Sequence, residues 1–313
     1  MAQKHDFALV FPGQGSQKVG MLQQVAETSP TVTTVFAQAS EVLGYDLWEL
    51  VQTGPQDALN MTETTQPALL AASVALWQVW RERGGAEPAF MAGHSLGEWS
   101  ALVCAGVIDF ADGIQLVRSR GRYMQEAVPA GAGAMAAIIG LDDSAVEQAC
   151  TAAAQGEVVG PVNYNSPGQL VIAGTSAAVE RAMALCKDAG AKRALPLPVS
   201  APFHTALMKP AADRLATEIH NTLFKNPKYS IIHNVNATTE PSPEVIKQLM
   251  IEQIYSPVLW VDCVKQLVAQ GVTTVLECGP GKVLSGLNKR IERNLTTLAT
   301  ETNDVLADAL AQS

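Results

Sequence analysis

Ala89-Phe90-Met91-Ala92-Gly93-His94-Ser95-Leu96-Gly97-Glu98 passes from a short apolar run of strand length, through two glycines that flank a serine, into a segment of helical character. Strand, tight turn and helix in direct succession is a unit of α/β architecture. A Gly-x-Ser-x-Gly segment between them forces the chain to reverse within a few residues and leaves the serine at the tip of a strained turn. At both flanking positions a β-carbon would collide with the neighbouring strand or helix, so Gly93, Gly97 and an exposed Ser95 hydroxyl are explained together. The next helix, expected over 98–105, opens here, and free amides at its start point toward an anion forming beside the serine, Leu96 N–H first among them. The same five-residue pattern also occurs in ordinary strand-to-helix loops, so a plain turn competes with a nucleophile.

Working outward, residues 7–11 form an apolar strand that leads into a second glycine-rich loop, Phe11-Pro12-Gly13-Gln14-Gly15-Ser16-Gln17. A backbone N–H from that loop, with Gln14 the candidate, would supply a second donor to the oxyanion. A helix is expected over 66–83, where Ala and Leu dominate and Gly84-Gly85 supplies the stop. A strand over 275–278 is followed by Gly279-Pro280-Gly281-Lys282, which lacks the spacing of a phosphate loop and reads as a tight turn. Alternation of this kind favours a largely parallel sheet. Residues 133–198 carry their own order: strands at 134–141, 158–163, 170–174 and 191–197, helices at 145–154 and 177–189, and hairpin-turn chemistry in Asn165-Ser166-Pro167-Gly168. That β-α-β-β-α-β order is the split ferredoxin-like motif. The expected organisation is a large α/β-hydrolase-like catalytic domain made of residues 1–131 and 199–313, with a small ferredoxin-like subdomain, residues 132–198, inserted in it.

Composition narrows the classes. A chain of 313 residues that is 48% hydrophobic and 16% charged buries a large core. The apolar stretch 7–11 is far too short for a signal peptide, and longer apolar runs such as 68–80 are interrupted well before bilayer length, so a soluble, cytoplasmic protein is expected. Five scattered cysteines, Cys104, Cys150, Cys186, Cys263 and Cys278, show neither a Cys-x-x-Cys pair nor metal-ligand spacing. A net charge of −9 disfavours nucleic acid and anionic membranes as partners, since both need a positive field. An acidic partner would have to find a local basic patch. Lys192-Arg193 and Lys289-Arg290 are the local pairs, although such pairs are usually just solvated.

A serine nucleophile needs a base, most often histidine. Of the five histidines, His5 is terminal, His220 lies on a polar helical segment, and His233 sits in the strand-like Ile231-Ile232-His233-Asn234; all three read as structural. His94 adjoins the serine, but consecutive side chains at a tight elbow diverge, which makes it a packed neighbour or wall of the site. His204 differs. Val199-Ser200-Ala201-Pro202-Phe203-His204 returns the chain from the subdomain to the main domain, where loops face the cleft between them. On the helix carrying Arg118, Arg120 and Arg122, a buried stripe of Ile114, Val117, Gly121, Met124 and Val128 leaves Arg120 as the arginine most directed inward. Pairing with a structural acid is the alternative role for it.

Together, Phe11-Pro12-Gly13-Gln14-Gly15, Gly93-His94-Ser95-Leu96-Gly97-Glu98 and Gly279-Pro280-Gly281-Lys282 resemble the malonyl-CoA:acyl-carrier-protein transacylases of bacterial fatty-acid synthesis, in the right order and over nearly the whole chain. The resemblance implies an acyltransferase that moves malonyl from malonyl-CoA to the phosphopantetheine thiol of an acidic acyl carrier protein through malonyl-Ser95, without metal or redox cofactor. It implies His204 as the base, through the Ser-x-Pro-Phe-His segment. The base would be held by a main-chain carbonyl at Gln253, in Gln253-Ile254-Tyr255-Ser256-Pro257. Arg120, in Arg120-Gly121-Arg122-Tyr123-Met124, would grip the malonyl carboxylate. Phe203 and His94 would shape the acyl site, and Phe203 would disfavour methyl-branched units. The basic pairs Lys192-Arg193 and Lys289-Arg290 become docking contacts for the carrier, and a monomer is expected. No carboxylate between Ser95 and His204 is marked as a third member, so a dyad is the simpler reading. Two rivals remain: a serine esterase or thioesterase, in which water attacks the acyl-serine, and a non-catalytic module that only docks a carrier.

Overall fold

The computed structural model describes residues 3–199 and 201–312. Among the described residues nine strands make two sheets. Strands β1 (Gln3–Phe11), β2 (Glu87–Gly93), β7 (Ser230–Ile232), β8 (Thr274–Glu277) and β9 (Thr296–Ala299) form one, in the order β7-β2-β1-β8-β9. All its pairings are parallel. The central strand explains why its sequence is an unbroken apolar run. Phe7, Leu9 and Phe11 enter the larger core cluster on one face, while Ala8 and Val10 enter a second cluster on the other. A strand covered on both faces has no polar side to show.

Strands β3 (Gly133–Ile139), β4 (Val159–Ser166), β5 (Gln169–Thr175) and β6 (Arg193–Pro196) form an antiparallel sheet in the order β4-β5-β3-β6. Helices Asp143–Ala154 and Ser176–Asp188 follow β3 and β5 and cover it with their own small core of Val146, Cys150, Ile172, Val179 and Cys186. This is the inserted ferredoxin-like unit. Its β4 edge is tied to the rest of the molecule, because Tyr164 N–H donates to Val258 O at 3.0 Å and Val258 N–H to Val162 O at 2.8 Å.

Element boundaries differ from expectation in instructive places. The helix after the serine starts at Leu96 and ends at Cys104, two residues earlier than expected at its start. The long helix starts at Thr62, before Pro67, and ends at Glu82. Strand β4 runs through Asn165 and Ser166, so the hairpin turn is confined to Pro167-Gly168. The arginine helix is Phe110–Glu126, so Val128, placed on its buried stripe by sequence, lies beyond its end and is only partly buried.

Candidate active site

The parallel sheet delivers three loops to one place, just beyond the carboxyl ends of its strands, where α/β sheets habitually form their clefts. After β2 the chain turns at Ser95, whose φ of 52° and ψ of −107° lie where residues with a β-carbon are rarely found. Such a conformation costs about 1–3 kcal/mol and persists only when its surroundings over-determine it. Here they do. A β-carbon on Gly93 would meet the backbone of Gly97 and Glu98, and one on Gly97 would meet the carbonyl of Phe11. His94 N–H donates to Phe11 O at 3.0 Å, fastening the elbow to the central strand. Ser95 N–H donates to Asn234 Oδ1 at 2.8 Å, and Asn234 Nδ2 donates to Gly93 O at 2.7 Å, so one buried side chain clamps the turn from both sides.

His204 comes from the segment that leaves the antiparallel unit. Its φ is 63°, a second left-handed non-glycine residue at the site. Ser200, part of the sequence segment that singled this histidine out, lies outside the described residues. His204 Nδ1 is 2.8 Å from Gln253 O and its Nε2 is 2.7 Å from Ser95 Oγ. A carbonyl only accepts, so Nδ1 carries the proton and Nε2 is left free to receive one from the serine. Burial first, and then the positive charge of Arg120, push the imidazole down to about 3, so it is neutral at pH 7.

Arg120 reaches the same point from helix Phe110–Glu126. Gly121 permits this, since a β-carbon there would strike the Thr62 carbonyl and hold the helix away from Thr62–Glu82. With that contact made, Arg120 Nη1 donates to Gln66 Oε1 at 2.9 Å, and Nη2 donates to Gln253 Oε1 at 3.0 Å and to Ser95 Oγ at 3.2 Å. Arg120 is 2% exposed, and its Nε has no hydrogen-bond partner among the described residues. Desolvation lowers it to about 10, offset in part by the Glu98 carboxylate, and it remains a cation at neutral pH.

Around Ser95 lies a cavity of about 260 Å³. Gln14, Gln66, Leu96, Arg120 and His204 line it, together with Phe203 and His94. Gln14 N–H and Leu96 N–H donate to no backbone or side-chain acceptor among the described residues. The antiparallel unit contributes to the lining through Met135, Asn163, Asn165 and Val171. His94 Nε2 lies 2.7 Å from Asn165 Oδ1, and its ring packs 5.7 Å from that of Trp260. Phe203 packs against both the main core and the cluster under the antiparallel sheet. His5 is exposed at the terminus, and His220 sits near the end of helix Lys209–Asn221.

The four basic residues are not part of the cavity lining and are exposed. Arg193 pairs with Ile139, which in turn pairs with Gln169, whose side chain accepts from Arg290 at 2.7 Å. Lys192 and Arg193 therefore share one end of the antiparallel sheet with Lys289 and Arg290, at the end of helix Val283–Ile291. Gly279 and Gly281 make the tight turn before that helix, Gly279 against Pro12 and Gly281 at φ 81°.

Sequence reasoning did not find the polar residues beneath the elbow. Glu98 is fully buried. Its Oε1 accepts from His233 Nδ1 at 2.8 Å, and its Oε2 accepts from Asn234 N–H at 3.1 Å and from Gln253 Nε2 at 2.7 Å. A signal was present: Ser95-Leu96-Gly97-Glu98 has the spacing of a capping box. The structure uses it otherwise, since the serine side chain makes no cap and the glutamate turns inward. Gln66 and the Gln253 side chain were likewise unmarked.

A strained serine on a strand-to-helix elbow, a neutral histidine on its hydroxyl and two open amides beside it define the class of serine-nucleophile acyl enzymes. The acyl transferase domain family matches residues 8–301. The malonyl CoA-acyl carrier protein transacylase of Escherichia coli is 59% identical over 97% of this chain and 98% of its own length, and that of Bacillus subtilis 46% over 97% and 96%. Among solved structures, an acyl carrier protein S-malonyltransferase from Vibrio cholerae superimposes with a TM-score of 0.95 at 61% identity, covering 97% of this chain and 99% of that one. A malonyl-transacylase solved in complex with a type II PKS acyl-carrier protein gives 0.97 at 56% identity, over 98% and 100%. The chain belongs to the malonyl-CoA:acyl-carrier-protein transacylase family.

Proposed function

We propose that this protein transfers malonyl from malonyl-CoA to the phosphopantetheine thiol of an acyl carrier protein, in two half-reactions at Ser95. In the first, the Ser95 hydroxyl proton passes to His204 Nε2 as Oγ attacks the thioester carbonyl. The resulting oxyanion rests on the N–H groups of Leu96 and Gln14. Collapse breaks the carbon–sulfur bond, and the CoA thiolate takes the proton back from His204. In the second, the carrier's thiol gives its proton to His204 and attacks the acyl-serine; Ser95 Oγ leaves and is reprotonated. The Gln253 carbonyl keeps the imidazole in the required tautomer and supports its transient charge less than a carboxylate would. A thioester carbonyl is attacked more readily than an amide, so that weaker support suffices.

The observation that carries this reading is the Arg120 guanidinium, buried, with its Nη2 only 3.2 Å from the nucleophile. A cation in that position is wasted on a neutral acyl group but matches the carboxylate at the far end of malonyl. It also argues against a simple esterase. Phe203 would crowd the α-carbon and disfavour branching, and His94 would form the side wall. Lys192, Arg193, Lys289 and Arg290 are proposed to meet an acidic carrier. The chain is proposed to divide into a catalytic domain (1–131 and 199–313) and the inserted subdomain (132–198), and to act as a cytoplasmic monomer in fatty-acid synthesis. Among the described residues no cluster suited to a metal and no helix able to cross a bilayer is found, and the proposed chemistry needs neither.

The test is transfer to a purified carrier from malonyl-, methylmalonyl- and acetyl-CoA, in wild type and Arg120→Ala. Loss of a charge-assisted contact predicts a fall of about 10²-fold in kcat/KM for malonyl-CoA and a much smaller one for acetyl-CoA. Unchanged preference for malonyl would remove Arg120 from the role.

A further inference from the structure

Glu98 has a place in this site that the nucleophile, base and guanidinium do not by themselves require. It is a fully buried carboxylate that accepts from His233 Nδ1, Asn234 N–H and Gln253 Nε2. What it holds is informative. The Gln253 amide nitrogen has two protons, and both are fixed, one on Glu98 Oε2 at 2.7 Å and one on Ser95 O at 2.9 Å. With the nitrogen pinned, the amide oxygen can point only toward Arg120 Nη2, 3.0 Å away. If that amide rotated by half a turn, it would present N–H to a guanidinium that only donates. Through the Asn234 backbone N–H, Glu98 also braces the side chain that clamps Gly93 and Ser95.

We infer that Glu98 is a positioning residue for the acyl transfer, acting through the Gln253 side-chain amide to orient Arg120 toward the acyl carboxylate. Gln253 then has two separate tasks: its backbone carbonyl holds His204 and its side chain relays the orientation set by Glu98. The inference rests on the assignment of Arg120 to the malonyl carboxylate. It differs from an acidic triad, because the carboxylate does not touch the base. It also differs from a purely structural anchor, which would support all acyl donors alike.

The experiment compares kcat/KM for malonyl-CoA and acetyl-CoA in wild type, Glu98→Gln, Gln253→Met and the double variant, with thermal melting followed in each. Gln253→Met keeps the backbone carbonyl for His204 and removes the relay together with the Nε2–Ser95 O hydrogen bond, whose loss bears on both acyl donors alike. Each single change is expected to lower the malonyl-to-acetyl ratio about tenfold, the size of one charge-assisted hydrogen bond. The double variant should be no worse in that ratio than the poorer single one, because both break the same chain. Equal losses for both donors, or single effects that multiply in the double variant, would overturn the inference. If Glu98→Gln fails to fold, Gln253→Met decides alone, and an unchanged ratio in it overturns the relay. A wild type without malonyl preference, or Arg120→Ala retaining it, would instead show that the Arg120 assignment had failed.

Discussion

The two sheets meet at one cavity and contribute to it in different ways. The parallel sheet carries the Ser95 elbow and the Gly13-Gln14 loop beside it, and it holds them by backbone contact: Gly93 against Gly97, Gly97 against the Phe11 carbonyl, Gly13 against His94 O. Nothing there can shift without moving a strand. The antiparallel sheet adds Met135, Asn163, Asn165 and Val171 to the lining. Its attachments to the rest of the molecule include the Val258 bridge, the His94–Asn165 and Arg290–Gln169 contacts, and Phe203. The difference teaches that the serine's turn is built into the main-chain path of one sheet, whereas the cavity beside it takes part of its lining from residues of the other.

Changes to the elbow and to the base on its hydroxyl should therefore depress transfer of every acyl group. The largest effect is expected from His204→Ala, about 10⁴-fold in kcat, with little change in fold. Gly97→Ala comes next. Its methyl would enter the Phe11 carbonyl, so the elbow or β1 must move, costing about 2–4 kcal/mol by thermal or urea unfolding and about 10²-fold in transfer. A Gly97→Ala protein with normal activity would break the comparison at its centre.

The pH profile sharpens it. Because the folded enzyme holds His204 near 3, the acid limb of kcat/KM should lie well below the ordinary histidine value of about 6.5. Arg120→Ala removes the repulsion that is the second cause of that depression, so its limb should move up. For the same reason the limb in kcat for malonyl-CoA, measured with a carboxylate on Arg120, should lie above that in kcat/KM. In stability the sign is fixed by linkage. The unfolded chain binds a proton below about 6.5 and the folded chain does not, so His204's contribution is present at neutral pH and is lost as pH falls from there toward 3. An acid limb at 6.5 in the wild-type kcat/KM profile would contradict the burial argument.

The smallest effect belongs to the lining that the antiparallel sheet adds. Asn165→Ala loses one hydrogen bond to His94 and should raise KM about fivefold while leaving kcat nearly unchanged. A fall in kcat comparable to that of His204→Ala would show that the antiparallel unit takes part in the chemistry.

Much of this division was legible in the sequence, for physical reasons. The apolar run 7–11, the glycines around Ser95 and the β-α-β-β-α-β order of 133–198 are local signals, and the structure keeps them with shifts of a few residues at their ends. The inward direction of Arg120 followed from helical periodicity. The motif resemblance brought Gln253's carbonyl into consideration, and the structure puts it on His204. What stayed hidden was long-range and polar. Glu98, Asn234 and Gln66 look like ordinary surface types, and only the fold brings Asn234 across from β7 to the elbow 139 positions earlier. Strand β9, only four residues long, was also missed. Its sequence Thr296-Thr297-Leu298-Ala299 carries little alternation to betray an edge strand.

The central claim, that Ser95 holds malonyl long enough for a carrier thiol to collect it, is tested most directly by weighing the intact protein after mixing with malonyl-CoA alone. A single malonyl adduct on wild type, absent in Ser95→Ala and discharged when the phosphopantetheine-bearing carrier is added, is the predicted result. Rapid release of free malonate with no persisting adduct, or an adduct that survives in Ser95→Ala, would contradict it.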